Sequence, residues 1–426
     1  MRTVDLIIDD IGTLVTLAGP PGPRSGAELG TVRSVPGAAI AIQDGEVVAA
    51  GPRREIVDRY RARRVHDAQG RLALPGFVDA HTHLVYARER IEEWEMRLAG
   101  ADYVQIAEQG GGIRASVRQL RAASHAELLA GALARLDRML ASGTTTVEIK
   151  SGYGLSLEHE RKSLEVIAAL DRAHPIHCVP TFLGAHEVPD EYRHDRAGYV
   201  RLVIDQMLPA LAPLARFCDV FCEAHVFDVA QARAILLAGR RHGLLPKLHA
   251  DELAPTGGAE LAAELGATSA DHLVAVSEEG IRRLAAAGVI AVLLPGTCYF
   301  LRLGRRAPAR AMVEAGVALA LATDSNPGTS PTTSMPLVMS LACQELGLRP
   351  AEALVAATVN AACAIGEGAR RGSLEPGKRA DVLLCDAEDW RALPYHFGTN
   401  LVAQVFIGGE LVWDEGRRVQ PAGSTP

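Results

Sequence analysis

Asp79-Ala80-His81-Thr82-His83 holds two histidines two residues apart, directly after an apolar run, Leu72 to Val78, that reads as a buried strand. On a strand, residues i and i+2 share a face, so both imidazoles look the same way from one strand end. Two convergent neutral imidazoles supply half of a tetrahedral metal site. The other half must come from elsewhere in the chain. His249 in Lys247-Leu248-His249-Ala250-Asp251-Glu252 and Asp324 in Ala322-Thr323-Asp324-Ser325-Asn326 both sit where later strands should end. His81, His83, His249 and Asp324 give three nitrogens and one carboxylate oxygen, a set that suits one Zn²⁺ or Fe ion. Such an ion can lower the pKa of a bound water from 15.7 to about 7, giving a nucleophile at neutral pH. Taken alone, Asp324 would read as a turn aspartate before Pro327-Gly328. Glu252, three residues after His249, is placed to move a proton from water to a leaving nitrogen. His272, after Asp271, is placed to orient the water or polarise a substrate oxygen.

These residues need a scaffold that brings distant strand ends together. From Gly76 the chain alternates apolar strands with amphipathic helices, and eight strands are expected: Phe77–His83, Thr145–Lys150, Cys178–Gly184, Asp219–His225, Pro246–His249, Ser269–Leu273, Ile290–Leu294 and Ala318–Thr323. Eight parallel strand–helix units over roughly 250 residues predict an α/β fold of the (β/α)₈ barrel type, whose sites lie at the C-terminal strand ends. The polar residues of this chain gather there. A doubly wound open sheet is the alternative, but no Gly-x-Gly-x-x-Gly follows the first barrel strand. Ser124-x-x-Glu127 is a capping-box pattern and opens a helix that should stop near Gly143. Two further helical stretches are expected at Thr333–Leu346 and Pro350–Ile365.

Both termini read as short strands, with Asp44-Gly45 and Gly408-Gly409 as turns and residues 19–37 as a Gly/Pro-rich loop. Pairing them gives a small composite β-sandwich domain. The expected division is 1–70 and 372–426 for the β-domain and 71–371 for the metal-dependent barrel.

Composition narrows the partners. A net charge of −7 leaves no basic footprint for nucleic acid or anionic membrane, and no uncharged apolar run reaches 18 residues. The start lacks the apolar core of a secretory signal, so a cytoplasmic protein is expected. The seven scattered cysteines include no C-x-x-C pair and read as reduced thiols.

Three blocks carry a resemblance to a known family: Pro75-Gly76-Phe77-Val78-Asp79-Ala80-His81-Thr82-His83, the later His249, His272 and Asp324, and the tail Gly372-Ser373-Leu374-Glu375-Pro376-Gly377-Lys378-Arg379-Ala380-Asp381-Val382. Together they resemble the metal-dependent amidohydrolase superfamily. Phe182 to Glu187, Val147 to Gly154, Gly110 to Ile113 and Thr323 to Pro331 narrow it to the branch of histidine degradation. The resemblance implies a barrel with a composite β-domain, one Zn²⁺ or Fe ion on His81, His83, His249 and Asp324, and opening of the ring of 4-imidazolone-5-propanoate to N-formimino-L-glutamate. It implies substrate contacts from Arg90, Tyr153, His186, Asn326 and Glu252, with Glu252 and His272 as acid–base and orienting residues. The residues agree with that chemistry. A cyclic amide carrying a propionate needs an electrophile for its carbonyl, a proton for its departing nitrogen and a cation for its carboxylate. Arg90, seven residues past His83, can offer a bidentate fork, and Arg302 is the next candidate. Tyr153 and His186 are expected to donate hydrogen bonds to the substrate. Gly110-Gly111-Gly112 is either a flap over the pocket or a turn.

Some amidohydrolases hold two metals bridged by a lysine or glutamate of the fourth strand. Here that strand end carries Glu223 and His225, while Lys150 lies on the second strand, which favours one metal. A deaminase acting on an aminated heterocycle would use the same metal and Glu252, and a non-catalytic metal-binding barrel is a third reading. The expected partner is a small molecule, with a homodimer left open.

Overall fold

The computed structural model describes residues 1–101, 105 and 111–419. The terminal sheet begins with β1 (Arg2–Val15), β2 (Ser34–Gln43), β3 (Glu46–Pro52), β4 (Tyr60–Asp67) and β5 (Leu72–Pro75). The barrel strands follow as β6 (Phe77–Asp79), β7 (Thr144–Lys150), β8 (His177–Ala185), β9 (Phe217–Cys222), β10 (Leu245–Ala250), β11 (Ser269–His272), β12 (Ile290–Leu293) and β13 (Leu319–Leu321). The chain then returns to the terminal sheet through β14 (Val382–Cys385), β15 (Val402–Ile407), β16 (Glu410–Asp414) and β17 (Arg417–Arg418).

The expected run Leu72–Val78 is two strands. Its first half pairs with β1 and β14 in the terminal sheet, and its second half pairs with β7 in the barrel. Gly76 makes the change of sheet possible, because a Cβ there would overlap the Thr145 side chain. The terminal strands join in one nine-stranded sheet. It wraps because β1 serves two layers: its first half pairs with β4 and its last residues with β5, with a register shift between Ile8 and Ile11. The enclosed apolar core includes Leu6, Ile8, Leu14, Ile40, Val382 and Phe406.

The eight barrel strands are parallel and hydrogen-bonded in sequence order from β6 to β13. Closure between β13 and β6 runs through the loops beyond both strands. Asp324 N–H donates to His81 O at 3.0 Å, His83 N–H to Ser325 O at 2.9 Å, and Thr82 bridges Ser325. Asp79 replaces the missing ladder with its side chain, accepting from Thr323 N–H at 3.0 Å and Thr323 Oγ1 at 2.6 Å. Both expected strand ends, 80–83 and 322–323, therefore lie beyond the ladder and are stitched across the seam by these bonds.

Period-2 alternation sorts the barrel side chains. Val147, Ile149, Leu248, Ala270 and Leu293 face the helical layer. The opposite parity fills the interior in layers. An apolar floor of Val78, Val179, Phe217, Val292 and Ala320 packs on the helix Val359–Ala364. Above it lie the buried charges Glu148, Lys150, Asp219, Lys247 and Asp271, and the histidines stand at the top.

The helix His125–Ala141 starts on the Ser124/Glu127 capping box, as the pattern predicts. The expected helix over 350–365 is two, Pro350–Ala356 and Val359–Ala364, broken at Thr358, whose φ and ψ are −133° and −86°. Of the glycine triplet, Gly110 lies outside the described residues, while Gly112, at φ 77°, precedes the helix Ile113–Ala122. Among the described residues no helix is long and apolar enough to cross a membrane.

Candidate active site

A cavity of about 650 Å³ opens above the C-terminal strand ends, lined among others by His83, Arg90, Arg97, Tyr153, His186, Glu223, His249, Glu252, His272, Asp324 and Asn326. At its base His81 Nε2 lies 3.3 Å from His83 Nε2, which lies 3.5 Å from His249 Nε2. Asp324 Oδ1 is 3.6 Å from His81 Nε2 and 3.5 Å from His83 Nε2.

The proton positions follow from the far side of two rings. His81 Nδ1–H donates to Asp271 Oδ2 at 2.6 Å, and His249 Nδ1–H donates to Asp219 Oδ1 at 3.1 Å. Each ring then turns an unprotonated Nε2 inward. Burial, with Lys150 next, holds His81 well below the usual imidazole range. Burial works against charge on His249 too, but Asp219 beside it leaves its pKa raised. The inward-facing lone pairs and the Asp324 carboxylate converge, an arrangement that calls for a cation. A tetrahedron with arms of about 2.0–2.1 Å has edges of roughly 3.3–3.4 Å, close to the spacings in this cluster. The donor set therefore fits a metal ion of the Zn²⁺ or Fe type. The group of residues able to hold such an ion, among those described, is His81, His83 and His249.

The backbone pays for this convergence in strain. Asp251, His272, Leu273 and Asp324 all adopt left-handed conformations, with φ between 49° and 74°, although none is glycine. All four lie at the C-terminal ends of barrel strands β10, β11 and β13. Asp324 is further fixed by Thr297 Oγ1, which donates to Oδ2 at 2.6 Å, and burial lifts its pKa to about 6 against that bond.

Glu252 and His272 face each other, with Oε1 3.6 Å from Nδ1. Burial, reinforced by Asp324, pushes the Glu252 carboxyl up to about 8, and burial holds His272 well below the ordinary imidazole value. Glu252 is poised between protonation states near neutrality, which proton transfer in both directions requires. Asp251 anchors the loop that carries it, accepting from the backbone N–H groups of Thr256, Gly257, Gly258 and Ala259 at 2.8–3.1 Å.

The structure brings Tyr153 and His186 to the cavity and alters one expectation. His186 Nδ1–H donates to Gly152 O at 3.0 Å, and burial, with His249 next, lowers its pKa to about 3. The neutral ring then presents an acceptor, not a donor, at Nε2. Its ring stacks on His83, with centroids 4.9 Å apart. Glu160 is fully buried and holds the Tyr153 loop, accepting from the N–H groups of Gly152, Gly154 and Leu155.

Arg90 reaches the cavity, but its Nε and one terminal nitrogen already bind Glu93 at 2.9 and 2.5 Å. Arg302 does not line the cavity, whereas its neighbours Leu301 and Leu303 do. Asn326 organises a turn: Oδ1 accepts from Gly328 and Thr329 N–H at 2.8 Å each, and Nδ2 donates to Asp324 O at 2.7 Å. Glu223 accepts from Leu253 N–H at 2.9 Å and from Ala224 N–H at 3.1 Å. It ties two loops together and is not in the histidine cluster.

Sequence reasoning missed the layer beneath the histidine cluster. Lys150 Nζ lies 2.8 Å from Glu148 Oε1, 2.8 Å from Asp219 Oδ2 and 3.7 Å from Asp271 Oδ2, all fully enclosed. One ammonium thus braces both carboxylates that orient His81 and His249. The available signal was Asp219 within the apolar stretch Phe217 to Cys222, because a carboxylate inside a buried strand must have a partner.

Known proteins are similar to this chain in sequence and in fold. The model of the amidohydrolase family matches residues 72–412. The imidazolonepropionase of Symbiobacterium thermophilum is 52% identical over 423 residues, covering 98% of this chain and 99% of the relative. That of Geobacillus kaustophilus is 52% identical over 411 residues, covering 95% and 97%. Among solved structures, an adenosine deaminase from Xanthomonas campestris with bound zinc superposes with a TM-score of 0.73 at 21% identity, covering 98% of this chain and 95% of its own. The Escherichia coli guanine deaminase gives 0.69 at 16% identity, covering 96% and 99%. At those identities the structural neighbours speak to the fold alone.

Proposed function

The chain belongs to the amidohydrolase family, among the imidazolonepropionases, and from that premise we infer how its own residues open the ring. The enzyme hydrolyses the cyclic amide 4-imidazolone-5-propanoate to N-formimino-L-glutamate in histidine degradation. The observation that carries this reading is the meeting, in one cavity, of a convergent His/Asp donor set, a carboxyl pushed up to about 8 and arginines at the rim.

We assign one Zn²⁺ or Fe ion to His81, His83, His249 and Asp324. When bound, such an ion makes water acidic near neutral pH and polarises a carbonyl oxygen. Glu252 as carboxylate takes the proton of the attacking water and, as acid, delivers it to the departing ring nitrogen. The new C–O bond replaces the broken C–N bond, and one water is consumed. His272, facing Glu252, steers that carboxyl and the substrate oxygen. His186 Nε2 accepts from a ring N–H, and the Tyr153 hydroxyl donates to the substrate. Arg90, with its fork held by Glu93, presents its remaining terminal nitrogen to the propionate. Asn326 supports binding through the turn it holds.

Purified protein incubated with imidazolonepropionate should abolish the ring chromophore and yield formiminoglutamate without releasing ammonia. Unchanged substrate, or faster ammonia release from an aminated heterocycle, would replace this reading with the deaminase one.

A further inference from the structure

The rim of the cavity carries more positive charge than its internal partners neutralise. Arg90 and Arg97 both line it. Glu93 grips Arg90 through two bonds and also accepts from Gly112 N–H at 3.0 Å. Arg97 has no ion-pair partner among the described residues. Its terminal nitrogen donates to Gly328 O at 2.7 Å, and its Nε, shielded from solvent, has no hydrogen-bond partner among the described residues. The two guanidiniums meet at Gly328, whose carbonyl accepts from Arg97 and where a Cβ would overlap Arg90 Nη1. The Phe300 ring lies under Arg97, with its centroid 5.3 Å from the guanidinium carbon, and fixes the plane of the fork. Two cations, one carboxylate and an unused buried donor leave room for one further anion. The rim carboxylates Glu187 and Glu223 do not supply it: Glu187 accepts from Val188 N–H, and Glu223 from Ala224 and Leu253 N–H.

We infer that Arg97 is a second carboxylate-recognising residue of this cavity, completing with the free edge of Arg90 a site for the anionic tail of a small ring substrate. The inference rests on the proposed reaction for the identity of that tail. It assigns to Arg97 a specificity role for which neither charge nor spacing singled it out. It also gives Glu93 a part: it holds Arg90 by one edge, so an incoming carboxylate meets Arg97 without first breaking an internal ion pair.

The test compares two inert ring probes, 4-imidazolepropanoate and uncharged 4-propylimidazole, as competitive inhibitors of the metal-loaded enzyme. Wild type should prefer the carboxylate probe strongly. Arg97→Met should lower that preference tens-fold or more, the scale expected when one partner of a desolvated charge pair is removed. It should weaken propylimidazole binding little and raise KM more than it lowers kcat. Arg97→Lys keeps the charge but loses the planar fork, so it should lose several-fold of the preference. Metal content of each variant reports that the site is intact. An unchanged probe ratio in either variant overturns the inference. If wild type leaves imidazolonepropionate untouched, the reaction assignment fails instead, whatever the ratios.

Discussion

Replacing Lys150 with methionine removes the ammonium that lies against three fully enclosed carboxylates and leaves only Lys247, 4.0 Å from Asp271, beside them. At an effective dielectric of 20, each 2.8 Å contact corresponds to roughly 6 kcal/mol of attraction. Most of that offsets the several kcal/mol each ion loses on leaving water. The net cost is set by the carboxylates left behind, and breaking a buried pair from one side costs about 3–5 kcal/mol. Lys150→Met should therefore destabilise the metal-free protein by about that amount in urea unfolding. Asp219 and Asp271 lose their common brace, so the orientation of His249 and His81 loosens as well. Altering a group behind a metal ligand typically weakens metal binding about 10–100-fold, and chelator competition reads that directly. Glu148 touches Lys150 but no ligand, so Lys150→Met with Glu148→Gln should recover stability without recovering metal affinity. The reasoning is refuted if Lys150→Met unfolds within about 1 kcal/mol of wild type and holds metal as tightly.

Glu252→Gln should keep metal and substrate binding while turnover falls roughly 10²–10⁴-fold in steady-state kinetics. Arg90→Met should raise KM for imidazolonepropionate tens-fold and leave a ring without the propionate nearly unaffected, since the carboxylate loses a charge-assisted partner. In metal-free protein Glu252 should contribute a slope of stability that falls from about pH 4.5 to 8, against the opposite slope from the histidines that burial holds low. Glu252 keeps its proton in the folded chain up to about 8, whereas the unfolded chain releases it near the ordinary value, so the unfolded state binds fewer protons across that window. Glu252→Gln should remove this contribution in unfolding titrations at successive pH values.

Much of the barrel and of the cluster at its mouth was legible because both follow from period and position. Alternating strands and amphipathic helices fix eight parallel units, and such barrels gather polar residues at one end. His81, His83, His249 and Asp324 could be chosen from chain order for that reason. What escaped depends on contacts between residues far apart in sequence. No local pattern tells that Asp79 clamps Thr323 across the seam, that Lys150 reaches carboxylates on β9 and β11, or that Glu93 engages Arg90. The donor expected of His186 became an acceptor because its tautomer is set by Gly152 O. The split at Gly76 was hidden because both halves of the run are equally apolar and buried. Arg97 was unremarkable in a charged helical segment until the fold set it beside Arg90 and Gly328.

The central claim is that four converging side chains hold one catalytic metal ion. Strip the protein with a chelator and restore Zn²⁺ or Fe²⁺ in fractional steps, measuring bound metal and imidazolonepropionate turnover at each step. Activity should be absent in the stripped protein, rise in proportion to metal and level off near one equivalent per chain, and His83→Ala should lose both together. Turnover without metal, saturation near two equivalents, or full metal content in His83→Ala would contradict the account.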